Sequence, residues 1–461
     1  MCDVNLEKVF DDYRAISDSV LQFDKPKKEE FIKLFRKALD KKENGAFWLP
    51  LVTSLTLCVK CGTCAEVCPV YLASGKNTLY HPVLRSNMLR NIYDKYFKNF
   101  GKISTKFTED TISESDINAM AESIYRCSIC RKCAYVCPVG VDNGLLVREM
   151  RKILFDLDVV PEEIYDEGTI YQKSYGASTK LSEKAFLNIL DMVKDEIEEE
   201  RGFRTEIPVN KIGADYLVIN NAGDYTAFLD TIIAQVVVLN KAKIDWTYNT
   251  PFNNGTNDAV NYGLFFSDKE LLEVGKLHTE VIKRLRPKTV VVGECGHAFE
   301  TFKYFYKDLF VEWKSIKVIS ILELLNDLIE KGMINIELGK NNEAVTYHDS
   351  CKIGRLGGIF DEPRNILNKV CANFIEMTPN RGLSICCGGG GGFANIHKSD
   401  FLKFRVNTYG KLKLEQVMKT GVSKVALACA NCKAQFRDLI NFHKLDMEFV
   451  GITELVANAL L

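Results

Sequence analysis

The sequence predicts an α+β chain of several domains, and three observations carry the prediction. One spacing of four cysteines occurs twice in the first third of the chain. From about Ala214 onward, short apolar strands alternate with amphipathic helices, and that alternation runs through twice. The second pass is interrupted by Ile385–Phe393, where two adjacent cysteines precede five glycines. Alternation of this kind means parallel sheets covered by helices. The cysteine–glycine stretch suits neither helix nor strand, because glycine there is costly and packs nothing. It suits a loop wrapped closely around something that thiolates bind.

Composition sets the limits. The chain has 461 residues, is 46% hydrophobic and 26% charged, and is long enough for about three domains. A net charge of −1 provides no global field toward nucleic acid or anionic lipid. The longest apolar runs, Thr231–Leu239 and Val290–Gly293, fall far short of the ~20 residues a membrane helix needs. Residues Met1–Glu7 have neither a basic nor an apolar signal region. Sixteen cysteines without an export signal argue for metal rather than a disulfide framework, and hence for a reducing, cytoplasmic compartment. Any attachment to the inner face of a membrane would then go through a partner. Only Cys2, Cys295 and Cys371 stand outside the groups described below, and Cys371 reads as a core residue in or after a helix.

Residues 1–50 read as a helical segment, with Phe31, Leu34, Phe35 and Leu39 at helical spacing between Glu29 and Lys42. Residues 51–157 hold the repeated run. Cys58, Cys61, Cys64 and Cys68-Pro69 share the spacing C-x2-C-x2-C-x3-C-P with Cys127, Cys130, Cys133 and Cys137-Pro138. This is the two-cluster ferredoxin pattern, in which the fourth cysteine of each run reaches the other cluster. It assigns Cys58, Cys61, Cys64 and Cys137 to one [4Fe-4S] cubane, and Cys127, Cys130, Cys133 and Cys68 to a second. Zinc also uses C-x2-C, but would leave one thiolate of each four oddly placed. The insert between the runs carries helical patterns at Leu84–Phe97 and Ser113–Arg126, the latter opening on a capping-box signature, Ser113 to Asp116. Lys76, Arg85 and Arg90 read most simply as solvated helix faces. The expectation is a helical domain, resembling that of fumarate-reductase iron–sulfur subunits.

After a helix at Leu145–Leu157, residues 158–212 are acidic and weakly patterned and read as a linker. Residues 213–338 and 339–461 are then two α/β repeats. The first offers strands at Tyr216–Asn220, Lys243–Trp246, Thr289–Gly293 and Lys317–Ile319, with helices at Asp224–Leu239, Leu271–Leu285 and Leu322–Ile329. The second offers strands at Ala344–His348, Asn373–Met377 and Lys424–Ala428, with helices at Glu362–Lys369, Phe401–Lys419 and Lys433–Asn441. Asp215–Ile219 answers Glu343–Tyr347, and Val291–Cys295 answers Ala426–Cys429. Asn253-Asn254-Gly255 stands where Cys386-Cys387-Gly388 stands in the second copy. The first copy therefore lacks every cysteine of the second except Cys295, and is expected to be a degenerate scaffold.

Five cysteines in three groups, Cys351, Cys386-Cys387 and Cys429/Cys432, converge on this second repeat. A cubane needs four thiolates, so five point to something different. Soft thiolates select iron–sulfur over hard metals, and adjacent cysteines can each meet a different iron. Gly388, Gly389 and the glycines after them let backbone N–H groups approach sulfur and hold developing negative charge.

The pattern of cysteine, then Cys-Cys-Gly, then C-x2-C resembles the cysteine-rich (CCG-type) domain of heterodisulfide reductases. Joined to a two-cluster ferredoxin, it is similar to the D subunit of the methanogen enzyme. It is equally similar to catalytic subunits of quinone-linked redox complexes in sulfate reducers. Tyr347–Cys351, Arg355–Arg364 and Glu294–Ala298 carry the likeness, which spans residues ~50–461. The resemblance implies that the five cysteines hold one non-cubane [4Fe-4S] cluster, catalytic in cleaving or forming a disulfide. It implies other redox subunits as partners, such as a membrane cytochrome b-type subunit or a flavoprotein, and a small thiol or disulfide substrate. His297 and His348 sit inside these motifs, while His397 only follows the glycines. A general-acid role toward a leaving thiolate is chemically sensible for His297, against the simpler role of a structural histidine. Glu294 and Arg355 carry the same two readings.

No G-x-G-x-x-G follows a strand with an acidic residue beyond it, so no nicotinamide fingerprint is present, and C-x3-C-x2-C does not occur. Two functions remain: a subunit passing electrons through two cubanes to a disulfide-active cluster, or a pure electron relay in a quinone-linked or dehydrogenase complex of lactate or glycerol-3-phosphate type.

Overall fold

The computed structural model describes residues 28–97, 113–251, 255–397 and 399–461, and the chain divides there into two compact units. The first comprises the described residues up to Ile164 together with Phe265–Asp268 and Gly388–Leu412; the second comprises Tyr165–Leu264, Lys269–Cys387 and Lys413–Leu461. Cys2, Asn253 and Asn254 lie outside the described residues.

The first unit is helical. Helix Lys28–Ala38 buries Phe31, Phe35 and Ala38, and helices Trp48–Thr56, Pro82–Tyr96, Glu114–Tyr125 and Asn143–Phe155 pack with one another around the two cysteine runs. The Ser113/Asp116 capping box forms in full, each side chain accepting from the other's backbone N–H. A buried polar cluster ties helix Asn143–Phe155 to the N-terminal segment. Asn44 Nδ2 donates to Glu149 at 2.9 Å, and Lys152 Nζ reaches Glu149 at 2.8 Å.

The second unit contains two four-stranded sheets. The first sheet is built from β1 Tyr216–Ile219, β2 Trp246–Thr247, β3 Thr289–Val292 and β4 Lys317–Ser320, in the order β2-β1-β3-β4. The second uses β5 Asn341–Tyr347, β6 Cys371–Ile375, β7 Lys424–Leu427 and β8 Glu448–Gly451, in the order β6-β5-β7-β8. Every pairing is parallel, and the two orders are the same once the strands are counted from the start of each repeat. Two α/β repeats following a helical cysteine-rich region is the α+β arrangement that the sequence predicts.

Differences from the expected elements have physical causes. The expected helix Phe401–Lys419 is three pieces: Ser399–Lys403, a π-type turn at Phe404–Tyr409, and Lys411–Met418. Continuous apolar periodicity cannot distinguish an α-helix from one interrupted by a wider turn. The strand expected at Lys243–Trp246 begins only at Trp246, because Lys243 takes a left-handed φ of +52°. β8 and the helix Ile452–Asn458 were not anticipated; Glu448 on an exposed strand start masks a short apolar run. Within 158–212, the helix Glu183–Arg201 buries Phe186, Leu190, Val193 and Ile197 on one stripe, starts from a Ser182 cap and ends at Gly202 with φ +69°. Cys371 is buried as the first residue of β6.

Candidate iron–sulfur centres

Both cysteine runs curl in the same way. Lys60 and Gly62 in the first have φ of +55° and +83°; Ile129 and Arg131, at the matching places in the second, have +49° and +55°. A β-branched residue in the left-handed region is costly, so the loop is held there by its surroundings. Alternation of this kind turns successive N–H groups inward and makes an anion-binding concavity. Cys68 caps the helix Pro69–Ala73, whose first residue needs no N–H donor.

Cys68 sits with the second run. Cys68, Cys127, Cys130 and Cys133 line one small cavity together with Arg85 and Tyr409. Burial pushes the Cys68 thiol up to about 12, with Cys127 and Cys130 adding to the effect and Arg85 opposing it. Burial also pushes Cys64 up to about 12, with added repulsion from Cys68 first and then Cys58, Cys61 and Cys137. Cys133 rises through burial and through Cys130, Cys68 and Cys127 among its neighbours. Buried thiols such as Cys64, Cys68 and Cys133 resist ionisation without a cation, and fit a cluster whose iron carries the positive charge. Exposed Cys61 moves the other way, lowered by a hydrogen bond from Thr63.

Two arginines read as solvated from sequence are buried instead. Arg85 Nε donates to Ser123 Oγ at 3.0 Å, and Arg90 Nη2 to Ser54 O at 3.2 Å and Asn143 Oδ1 at 3.3 Å. Sequence periodicity missed them because helix Pro82–Tyr96 is buried on nearly every side. Burial lowers the Arg90 guanidinium, while Cys58, Cys64 and Cys137 support its charge.

The glycine loop belongs to the unit that contains these runs. A Cβ on Gly390 would lie 2.9 Å from Ser128 O, and one on Gly391 3.0 Å from the same carbonyl. Gly391 also has φ +66°, so both positions need glycine. Arg151, fully buried, fastens the arrangement: Nη1 donates to Gly391 O at 2.6 Å and Nη2 to Cys127 O at 2.7 Å. Ser128 Oγ and Tyr409 Oη share a hydrogen bond of 2.6 Å, and Gly388 packs on the Tyr409 ring. No motif in the sequence announces Arg151 or Tyr409.

In the second unit, Cys351, Cys386, Cys387, Cys429 and Cys432 are all buried. Cys387 Sγ and Cys432 Sγ are 3.4 Å apart, and a ring nitrogen of His348 lies within 4.8 Å of both. Cys429 is the extended N-cap of helix Ala430–His443, so its carbonyl accepts from Cys432 N at 2.8 Å and Lys433 N at 2.9 Å. A hydrogen bond from Cys432 brings the Cys429 thiol down to about 6, against its burial, with the Gly296 backbone and Ser350 also supporting the thiolate. Burial lowers the Lys413 ammonium to about 8, while Cys387, Asp349, Cys386 and Cys432 support its charge. Arg355 donates to Gly382 O at 2.9 Å and Ser384 O at 2.7 Å, bracing the segment before Cys386.

Cys295 is the extended N-cap after β3, as Cys429 is after β7. Burial raises its thiol, with Cys429 as a further cause, and Asn221 Nδ2 lies 3.9 Å from its sulfur. His297, one residue into that short helix, turns elsewhere. Its Nε2 bonds Asn261 O at 2.7 Å, burial lowers it to about 3, and it is outside the group of His348, Cys387 and Cys432. Glu294 anchors Thr453, accepting from its N at 2.9 Å and its Oγ1 at 2.8 Å.

Residues 54–141 match a family described as a 4Fe-4S dicluster domain, and residues 345–437 one described as a cysteine-rich domain. The chain is 26% identical over 475 residues to the Hdr-like menaquinol oxidoreductase iron-sulfur subunit 2 of Archaeoglobus fulgidus, covering 94% of this chain and 83% of that protein. It is 27% identical over 409 residues to the D subunit of the dihydromethanophenazine:CoB–CoM heterodisulfide reductase of Methanosarcina barkeri, covering 88% and 94%. An EtfAB:quinone oxidoreductase of Syntrophomonas wolfei is 24% identical, with 85% of this chain matching 56% of that longer protein.

Proposed function

Since this chain is an iron–sulfur oxidoreductase component like the D subunit of heterodisulfide reductases, we propose that it delivers electrons to a disulfide, or withdraws them from a pair of thiols, at its five-cysteine centre. Cys58, Cys61, Cys64 and Cys137 would hold one [4Fe-4S] cubane, and Cys127, Cys130, Cys133 and Cys68 a second. Cys351, Cys386, Cys387, Cys429 and Cys432 would hold a non-cubane [4Fe-4S] cluster. Bound there, these groups supply one-electron transfer and, at the third, soft iron able to accept a thiol sulfur. The single observation carrying the reading is the pair of buried sulfurs of Cys387 and Cys432, 3.4 Å apart and belonging to neither ferredoxin run.

Reducing a disulfide to two thiols consumes two electrons and two protons. Lys413 Nζ holds a proton near the sulfurs of Cys386 and Cys387, and burial leaves it ready to give that proton up near neutral pH. Its Nζ is positioned by hydrogen bonds to Gln416 and, at 3.8 Å, to Met377 Sδ. Further redox subunits would supply or remove the electrons; no helix among the described residues is long and apolar enough to cross a membrane. The relatives named for menaquinol and quinone oxidoreduction favour a second reading, a relay without disulfide chemistry.

EPR of the oxidised protein titrated with small thiols separates the two. Disulfide chemistry predicts a thiol-dependent signal that Cys386→Ser and Cys387→Ser abolish. Silence toward every thiol, with both variants still passing electrons at the normal rate, establishes the relay.

A further inference from the structure

Resting on the five-cysteine reading above, we propose that His348 is a sixth protein ligand of that centre, bound to iron through an imidazole nitrogen. The residue follows β5 directly and its backbone N–H donates to Ala426 O at 3.1 Å, which fixes the ring's starting point at the C-terminal ends of the central strands. The side chain is 1% exposed and packs on the Phe436 ring at 5.7 Å between centroids. Among the described residues neither of its ring nitrogens has a hydrogen-bond partner. His297 and His278, also buried, each bond a backbone carbonyl.

A buried imidazole with both nitrogens bare costs about 1–3 kcal/mol for each unsatisfied group, so a partner of another kind is required. Two cysteine sulfurs stand close to it. A ring nitrogen, Cys387 Sγ and Cys432 Sγ all lie within 4.8 Å of one another, and the two sulfurs are 3.4 Å apart. That separation is far beyond the ~2.05 Å of a disulfide. Metal–sulfur bonds of about 2.3 Å and metal–nitrogen bonds of about 2.0 Å at a tetrahedral ion place two sulfurs about 3.8 Å apart and a sulfur and a nitrogen about 3.5 Å apart, and the sulfur spacing here approaches the first value. Coordination would use the lone pair of one nitrogen and leave the N–H of the other free to donate to a neighbouring thiolate. Both bare atoms are accounted for.

The chemical consequence is a charge effect. Imidazole is neutral where a thiolate is anionic, and histidine in place of cysteine raises the potential of a two-iron cluster. A mixed nitrogen–sulfur iron at this centre would accept an electron more readily than an all-thiolate one.

The test uses the full-length, anaerobically purified protein labelled with ¹⁵N-histidine, read by pulsed EPR at the third centre's signal, with iron counted on the same samples. The proposal expects about twelve iron per chain, a strongly coupled nitrogen that changes with the label, and loss of that coupling in His348→Gln. His348→Cys should keep the full iron content and lower the midpoint potential of this centre alone. About twelve iron with only weak nitrogen coupling, of the size an N–H···S contact gives, would overturn the ligand and leave the centre standing. About eight iron, with no third signal, would overturn both the centre and this ligand.

Discussion

Lys433 Nζ lies 2.7 Å from Glu294 Oε2, with both side chains almost wholly buried. Glu294 follows β3 and Lys433 sits in the helix after β7, so one ion pair ties corresponding corners of the two repeats. Glu454, 3.3 Å from the same ammonium, makes it a three-membered group. Lys433→Met strands two carboxylates and should lower the stability of the protein by about 3–5 kcal/mol. Combining it with Glu294→Gln should cost less than the two single changes together. Urea midpoints for the four proteins check this, and a Lys433→Met midpoint equal to the parent's would refute it.

A second expectation concerns acid. His278 is buried and neutral, lowered to about 4 by burial. Its Nε2 meets Asp258 O at 2.9 Å and its Nδ1 meets Tyr306 Oη at 3.0 Å. Because the folded pKa lies below the unfolded one, the unfolded chain binds the extra proton between pH 6.5 and 4. Stability from this residue is therefore complete above pH 6.5 and is lost as pH falls toward 4. Between pH 7 and pH 5 the loss should be about 2 kcal/mol. His278→Phe, compared with the parent at both pH values, should flatten that slope; an unchanged slope would count against the assignment.

The buried arginines should set cubane potentials. Arg90 stands among Cys58, Cys64 and Cys137, and Arg85 lines the cavity of Cys68, Cys127, Cys130 and Cys133. Removing a cation makes an added electron less welcome, so Arg90→Met should lower the first cubane's midpoint, and Arg85→Met the second's, by tens of millivolts, an order of magnitude set by Coulomb's law at an effective dielectric of ~20. Potentiometric EPR resolves the two. Equal shifts of both signals in either variant would show a general loosening instead.

The ligand crossover makes a sharper claim. Cys137→Ser should damage the cluster of Cys58, Cys61 and Cys64, and Cys68→Ser that of Cys127, Cys130 and Cys133. Spectra in which each substitution disturbs only its own run would reverse the assignment.

Much of this was legible in the sequence, for reasons that differ by element. The cysteine runs are read from spacing alone, because a metal cluster imposes its geometry on a few adjacent residues. The doubled sheet was legible because a buried parallel strand is a plain apolar run: Val290–Val292 and Val425–Leu427 need no context. Arg85, Arg90 and Arg151 were illegible because a charged residue in a helix reads as solvent-facing until the packing around it is known. Tyr409 and Ser128 are 281 positions apart, so nothing local connects them. His348 stood in a motif, yet its two bare nitrogens are visible only once its neighbours are in place. His297, one residue past Gly296 in the helix that Cys295 caps, turns away to Asn261 for an equally non-local reason.

The most direct test of the three-centre account is the metal content of anaerobically purified, full-length protein, with Mössbauer spectroscopy to sort the iron. Two four-cysteine sites and one five-cysteine site predict about twelve iron per chain, no stoichiometric zinc, and a third of the iron in an environment unlike a cubane. About eight iron, all cubane-like, or one zinc per chain, would contradict it.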